Sequence, residues 1–366
     1  MENRRVNYFL YLTAAVAAVS AFFHGLFFAK ILPWNIVYSD IVGFYQKAIS
    51  AFSFAQIQIE YPALTSFFIR LTGTIGGSQF GYYLANSAFL ILCAAAATYF
   101  LYKIASDKKK LLNYWIFAPS MFVFAVFNWD LLAVLSVAAA LYFASKEKYY
   151  LAAVFIAFGF AAKLYPVLYL IPVLLKQKNW KEWLKITGIF LGVIILINIY
   201  FIASNFDSWL YFFELNSLRN SNPDSIWTIV RFFFRNLSVS GINVISFLLF
   251  GSSYAYLMYK YRRASVLVLC FISTVLFLLF NKVFSPQYAL WILPFLAILP
   301  FQKIKGWFYA FEFSNLAILF IILPWFLIEK NIIYFYWVAP FVLARHAILT
   351  VYLLKAVKLA KTEKIS

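Results

Sequence analysis

Short clusters of lysine and arginine interrupt one apolar run after another along this chain, and that alternation leaves few folds open. The clusters are Arg4 and Arg5; Lys108 to Lys110; Lys146 and Lys148; Lys176, Lys178 and Lys181; Lys260, Arg262 and Arg263; Lys303 and Lys305; then Lys355, Lys358, Lys361 and Lys364. Between them lie apolar segments at roughly 8–30, 80–103, 111–127, 129–145, 148–162, 164–175, 184–204, 241–259, 264–280, 286–301, 306–327 and 331–353. A helix needs about 17–25 apolar residues to cross the hydrocarbon core. Most of these segments qualify, while 148–162 and 164–175 are short enough to be bent or only partly spanning. The expected fold is all-α: one polytopic membrane domain over residues 1–366, with about twelve spans.

Composition agrees. The chain is 65% hydrophobic and only 12% charged, against roughly 45–50% and 25% in a soluble domain, so a water-soluble fold could not cover its surface with polar groups. The net charge of +18 raises the question of nucleic acid. Its confinement to short clusters beside apolar runs is instead the positive-inside pattern, and no nucleic-acid partner is expected. The first apolar run carries no small-residue cleavage site and reads as a retained helix. Cys93 and Cys270 both lie inside apolar runs, too few for a disulfide framework and without metal spacing.

Orientation follows from the charges. The apolar stretch 62–71 is only about ten residues long; treated as re-entrant or interfacial, it lets every basic cluster fall on one side. Basic residues then number 21 on inner loops and 9 on outer ones, with Arg345 inside the last span. Both termini are expected in the cytoplasm, with the cell membrane as the location. The outer ends carry 37–47, 59–64, 127–132, 161–168, the polar loop 205–240 and 281–288. Residues 40–58 alternate like an interfacial helix, and Gly73, Gly76 and Gly77 mark a flexible turn into the next span.

The chemistry-bearing residues gather on that outer side: Asp40, Glu60, Asp130, Lys163 and Lys282. All but Glu60 have a plain alternative. Asp40 and Asp130 suit helix N-caps, and Lys163 suits a snorkelling helix end. Glu60 precedes Pro62 by two residues and has no capping role in view. His24 and His346 stand far from any acidic cluster in the sequence, so no Ser-His-Asp or Cys-His set assembles, and no glycine-rich phosphate loop is present. Carboxylates that can take a proton from a hydroxyl, lysines that can hold a phosphate, and aromatic rings at a membrane surface suit transfer of a sugar from a lipid phosphate.

Three stretches carry a resemblance: "YSDIVGFYQKA" with "EYPAL", then "NWDLLAVLSVAAALYFASKEKYYLAAVFIAFGFAAKLYPVLYLIPVLL", then "KVFSPQYALWILP". Together they resemble the integral-membrane GT-C glycosyltransferases, and glycosyltransferase family 87 in particular, the polyprenol-phosphate-mannose-dependent α-mannosyltransferases. The sequence departs from the family pattern where Ala63 follows Pro62, a position commonly proline in that family. The resemblance implies a polyprenyl- or dolichyl-phosphate sugar donor, a lipid-linked or glycan acceptor, an external site, no cofactor and no metal. It implies that Asp40 is the catalytic base. Glu60, Tyr61, Asn128, Asp130, Lys163, Tyr165, Lys282, Gln287 and Tyr288 are expected to bind substrate, with Lys163 and Lys282 converging on the donor phosphate. A transporter or lipid flippase, and a noncatalytic subunit of a glycosylation complex, are the rival classes. Transporter charges mark mid-span pathways, whereas these residues cluster at helix ends.

Overall fold

The computed structural model describes residues 2–32, 34–49, 60–328 and 332–363. Among them there is helix and no strand. Among the described residues, five helices are long and apolar enough to cross a membrane: Asn3–Gly25, Gln79–Ile104, Trp180–Ser204, Val239–Lys260 and Tyr336–Glu363. The expected span 306–327 is one further helix, Lys305–Ile328, and the remaining expected spans are shorter or broken. Segment 111–127 is a π-helical turn, Leu112–Ile116, followed by a separate helix, Pro119–Phe124. Segment 164–175 is a 3-10 turn, Tyr165–Tyr169, running into Leu170–Leu174. Segment 286–301 is likewise Pro286–Trp291 and then Leu293–Ile298. Proline explains each break: it fits a first helical turn, where its missing N–H costs nothing, and disfavours helix in the residue before it.

The core is the Asp130–Ser145 and Tyr149–Ala162 hairpin, against which Gln79–Ile104 and Trp180–Ser204 pack. Its alanines allow the close backbone approach that holds helices together where lipid gives no hydrophobic push; Ala133, Ala138, Ala139, Ala153 and Ala157 are buried. The first helix packs on Gln79–Ile104, and Val266–Phe280 packs on the last helix.

Hydrogen bonds tie the chain reversals into two opposite ends. At one end Ser39 Oγ donates to the carbonyls of Val126 and Phe127, and the Asn222 N–H donates to the Lys282 carbonyl. At the other, Lys110 Nζ donates to the carbonyls of Leu299 and Phe301, Lys176 Nζ to that of Arg262, and Lys355 Nζ to that of Gln302.

The first long loop differs in detail from its expected form. The described part of the 40–58 helix is Asp40–Gly43 and Tyr45–Ile49, interrupted at Phe44; residues 50–59 lie outside the described residues. The stretch beginning near Pro62 is a helix, Ala63–Gly76, packed on Gln79–Ile104. Gly73 sits where an added Cβ would fall 2.8 Å from the Ala48 Cβ. Gly77 ends the helix at φ 64°, a left-handed conformation that glycine adopts freely. These glycines fix a close approach and a helix end.

Candidate active site

The site is built where four reversals meet. Ser39 is the N-cap of the short Asp40 helix, its hydroxyl accepting the Ile41 N–H. Asp40 is therefore the first helical residue and not the cap, and its carboxylate is free to face inward. Tyr38 OH donates to Asp40 Oδ1 at 2.7 Å, and Tyr61 OH donates to Oδ2 at 3.3 Å. Burial pushes the Asp40 carboxyl above its ordinary range, while the two hydroxyls and the nearby Lys163 charge pull it back.

Asp130 is likewise not a side-chain cap. It opens the Asp130–Ser145 helix with its own N–H held by Asn128 Oδ1 at 2.9 Å. Its carboxylate is fully buried. Oδ1 meets Lys163 Nζ at 3.0 Å and accepts from Trp291 Nε1 at 3.0 Å. Lys163 follows the last residue of the Tyr149–Ala162 helix, where extended backbone turns it inward. Burial acts to lower its pKa, but Asp130, Tyr288 and Asp40 outweigh that and hold it above the usual lysine value. The ammonium lies 5.1 Å from the Tyr61 ring centroid and 5.5 Å from that of Tyr288. Tyr61 thus joins the halves: its hydroxyl on Asp40, its face toward Lys163.

Aromatic rings wall this centre. Tyr165 and Tyr288 stack on opposite sides of Trp291 at 4.0 and 3.8 Å, and Phe44, Tyr61 and Trp129 pack edge to face. Three polar atoms here are buried without a partner: Asp130 Oδ2, Asn128 Nδ2 and the Tyr165 hydroxyl. Native interiors seldom leave such groups unmet. A cleft beside Tyr61, lined by Phe160, Asn198, Phe201, Trp209 and Phe213, opens between the helices.

The remaining expected residues differ in their partners. Glu60 pairs with Lys47 at 2.7 Å, both partly exposed, and does not face Asp40 in the way Tyr61 does. Lys282 is buried and donates to the Ser217 carbonyl at 3.2 Å, so the two lysines expected to converge have different partners. Burial and the neighbouring Arg219 lower its pKa. Gln287 is buried, its side chain without a hydrogen bond among the described residues, and the charges of Lys163 and Arg219 both act on Tyr288. His24, distant in sequence, lies under the loop that carries Asp40: its ring nitrogens meet the carbonyls of Val37 at 3.0 Å and Val123 at 2.7 Å. The sequence reading also missed Trp291, Tyr38 as a carboxylate ligand, and Arg219. For Trp291 the signal was its place three residues after Tyr288. Among the described residues, no group of three His, Cys, Asp or Glu is placed to hold a metal.

Fold and site define a polytopic helical membrane protein with a carboxylate–lysine centre inside aromatic walls at one end of its bundle. The chain belongs to glycosyltransferase family 87: that family's model matches residues 61–286. It is a glycosyltransferase. No curated protein matches it. The match spans Tyr61, Asn128, Asp130, Lys163, Tyr165 and Lys282; Asp40, Tyr288, Trp291 and Arg345 lie outside it.

Proposed function

We propose that this glycosyltransferase moves a sugar, mannose by family analogy, from a polyprenyl- or dolichyl-phosphate donor to a lipid-linked or glycan acceptor at the external membrane face. Asp40 is the base. The acceptor hydroxyl gives its proton to the Asp40 carboxylate while its oxygen attacks the anomeric carbon. The bond from that carbon to the phosphate oxygen breaks, and the lipid phosphate leaves with the electron pair. The configuration inverts.

The observation that carries this reading is the setting of Asp40: a half-buried carboxylate held by two tyrosine hydroxyls, with a lysine close enough to act on it. Hydrogen bonds keep the carboxylate ionised and oriented, and burial keeps it basic enough to accept a proton. Asp130, Asn128 and Tyr165 leave polar atoms unmet for sugar hydroxyls. Lys163 and Lys282 supply positive charge for the departing phosphate, and Arg219 adds to it from beside Lys282. The cleft beside Tyr61 suits the lipid chain of a substrate.

The test incubates purified protein in lipid with radiolabelled polyprenyl-phosphate-mannose and total cell lipids. Label should pass to a new lipid species. Label that crosses the membrane on an unchanged donor would replace this reading with a flippase.

A further inference from the structure

Arg345 is the costliest residue in the last helix. Its guanidinium is fully buried, and an arginine inside a spanning helix is expensive to insert unless it meets partners. Its contacts point to the site end. Nη2 donates to the carbonyls of Asp224 and of Phe284, the latter at 3.1 Å, and Nη1 donates to Asn315 Oδ1 at 3.1 Å. Nη1 also lies 3.7 Å from Asp224 Oδ2, and the guanidinium carbon sits 3.7 Å from the Phe284 ring centroid. One side chain therefore ties the last helix and Lys305–Ile328 to two loops. Those loops are knitted to each other by Asn222, whose N–H reaches the Lys282 carbonyl and whose Nδ2 reaches Ser285 Oγ.

From Phe284 the contacts run inward. Its ring is nearly parallel to Tyr288, at 6.3 Å and 17°. Tyr288 stacks on Trp291, Trp291 on Tyr165, and Trp291 Nε1 holds Asp130. Two adjacent rungs of the ladder each meet a cation, Arg345 over Phe284 and Lys163 over Tyr288. Stability alone does not call for this, because a buried ion pair replaced by apolar residues of similar volume is often neutral or better. What an apolar residue cannot do is fix two carbonyls and a ring in one geometry, as the planar fork of arginine does.

We propose that Arg345 is a positioning residue for the reaction centre, setting the 281–288 loop so that the Tyr288–Trp291–Tyr165 stack holds Asp130 and Lys163 in place. Its kinetic consequence rests on the transfer reaction proposed above; its structural consequence does not.

The test compares Arg345→Lys, which keeps the charge and loses the fork, with wild type and Trp291→Phe, all purified in detergent and monodisperse. The near-ultraviolet circular dichroism of the stack should fall in Arg345→Lys toward the Trp291→Phe spectrum. In the transfer assay kcat should fall, with KM less affected, by up to about 100-fold, the scale of a 1 Å misplacement. A folded Arg345→Lys with wild-type dichroism and wild-type kcat overturns the proposal. Should that variant not fold, Phe284→Leu is read in its place: it removes the ring under the guanidinium and keeps the carbonyl, and an unchanged spectrum overturns the proposal equally. An inactive wild type strikes the proposed reaction, and the clamp is then decided by the dichroism, which either falls or refutes it.

Discussion

The two ends of the bundle use the same residue for different work. At the end away from the site, lysines meet helix-end and turn carbonyls: Lys108 those of Tyr102 and Ala105, Lys110 those of Leu299 and Phe301, Lys176 those of Arg262 and Ala264, and Lys355 that of Gln302. The last carbonyls of a helix have no partner within it and carry partial negative charge, so a cation there is favoured by a few tenths to about 1 kcal/mol. At the site end, Lys163 has a buried carboxylate for a partner and tyrosine faces around it. One arrangement completes a backbone; the other holds opposed charges out of water. The far-end lysines all come from basic clusters and Lys163 from none, and the partner each one meets sets what it does.

The comparison breaks most sharply at Asp40, whose tyrosine-held carboxylate lies inward, whereas the far end's Glu182, held by Tyr150 and Lys185, lies at the surface. Asp40→Asn should leave the fold intact, because Ser39 and not Asp40 caps the helix, and should cut transfer by about 10²–10⁴-fold, the usual scale for losing a general base. Near-full activity in a well-expressed variant would strike Asp40 as the base. The sign of its pH dependence is fixed. The base must be deprotonated, so the rate climbs with pH through the Asp40 midpoint. Burial places that midpoint above the roughly 3.9 of a free aspartate. Tyr38→Phe removes a hydrogen bond that favours the carboxylate, so the acid limb should move to still higher pH; a move downward would contradict the arrangement.

Next in size is the buried pair. Removing one partner leaves the other charge unpaired in the interior, at about 3–5 kcal/mol. Lys163→Met and Asp130→Asn should each lower denaturant midpoints strongly. The double variant should cost much less than the sum, a coupling that a double-mutant cycle measures directly. Additive losses would mean that the 3.0 Å contact is not a functioning pair.

The ends were legible in the sequence because hydropathy and charge register where a helix stops. That is how Asp40, Tyr61, Asp130, Lys163, Tyr165 and Tyr288 were assigned to one side before any geometry. The faces were not legible. The Asp130–Ser145 helix is apolar nearly all round, so nothing in its pattern says which way it turns. The break at Ala118, the ladder through Trp291 and the reach of Arg345 depend on long-range packing that window averages erase. Glu60 shows how little a position in the sequence says about a partner. Its place beside Tyr61 and Pro62 suggested a site residue, yet its carboxylate forms an ion pair with Lys47 near the surface.

Lys282 stands between the two kinds of lysine and sharpens the contrast. It meets the carbonyl of Ser217 in the last turn of Phe206–Leu218, like a far-end lysine. It is also buried beside Arg219, which lowers its pKa, and no carboxylate pairs with it among the described residues. A phosphate ligand there predicts that Lys282→Met slows transfer by roughly 10-fold or more, about 1.4 kcal/mol or above in barrier. A capping lysine predicts lost stability of about 1 kcal/mol or less and an unchanged rate. Comparing rate and melting point in the same preparation separates the two.

The smallest effect belongs to the far end itself. Lys110 Nζ reaches two carbonyls, at 3.3 and 3.2 Å, across a gap of nearly two hundred positions in the chain, joining the Lys108–Leu111 turn to the residues just after Leu293–Ile298. Both bonds are long for an N–H to oxygen contact, and long bonds contribute little. Lys110→Met should therefore lower stability by no more than about 1 kcal/mol and leave transfer at the wild-type rate. A tenfold fall in rate would mean that the far end also holds substrate, and the division of labour between the two ends would have to be abandoned. A rate unchanged in Lys110→Met but lost in Lys163→Met would instead assign the chemistry to the lysine with a buried carboxylate partner.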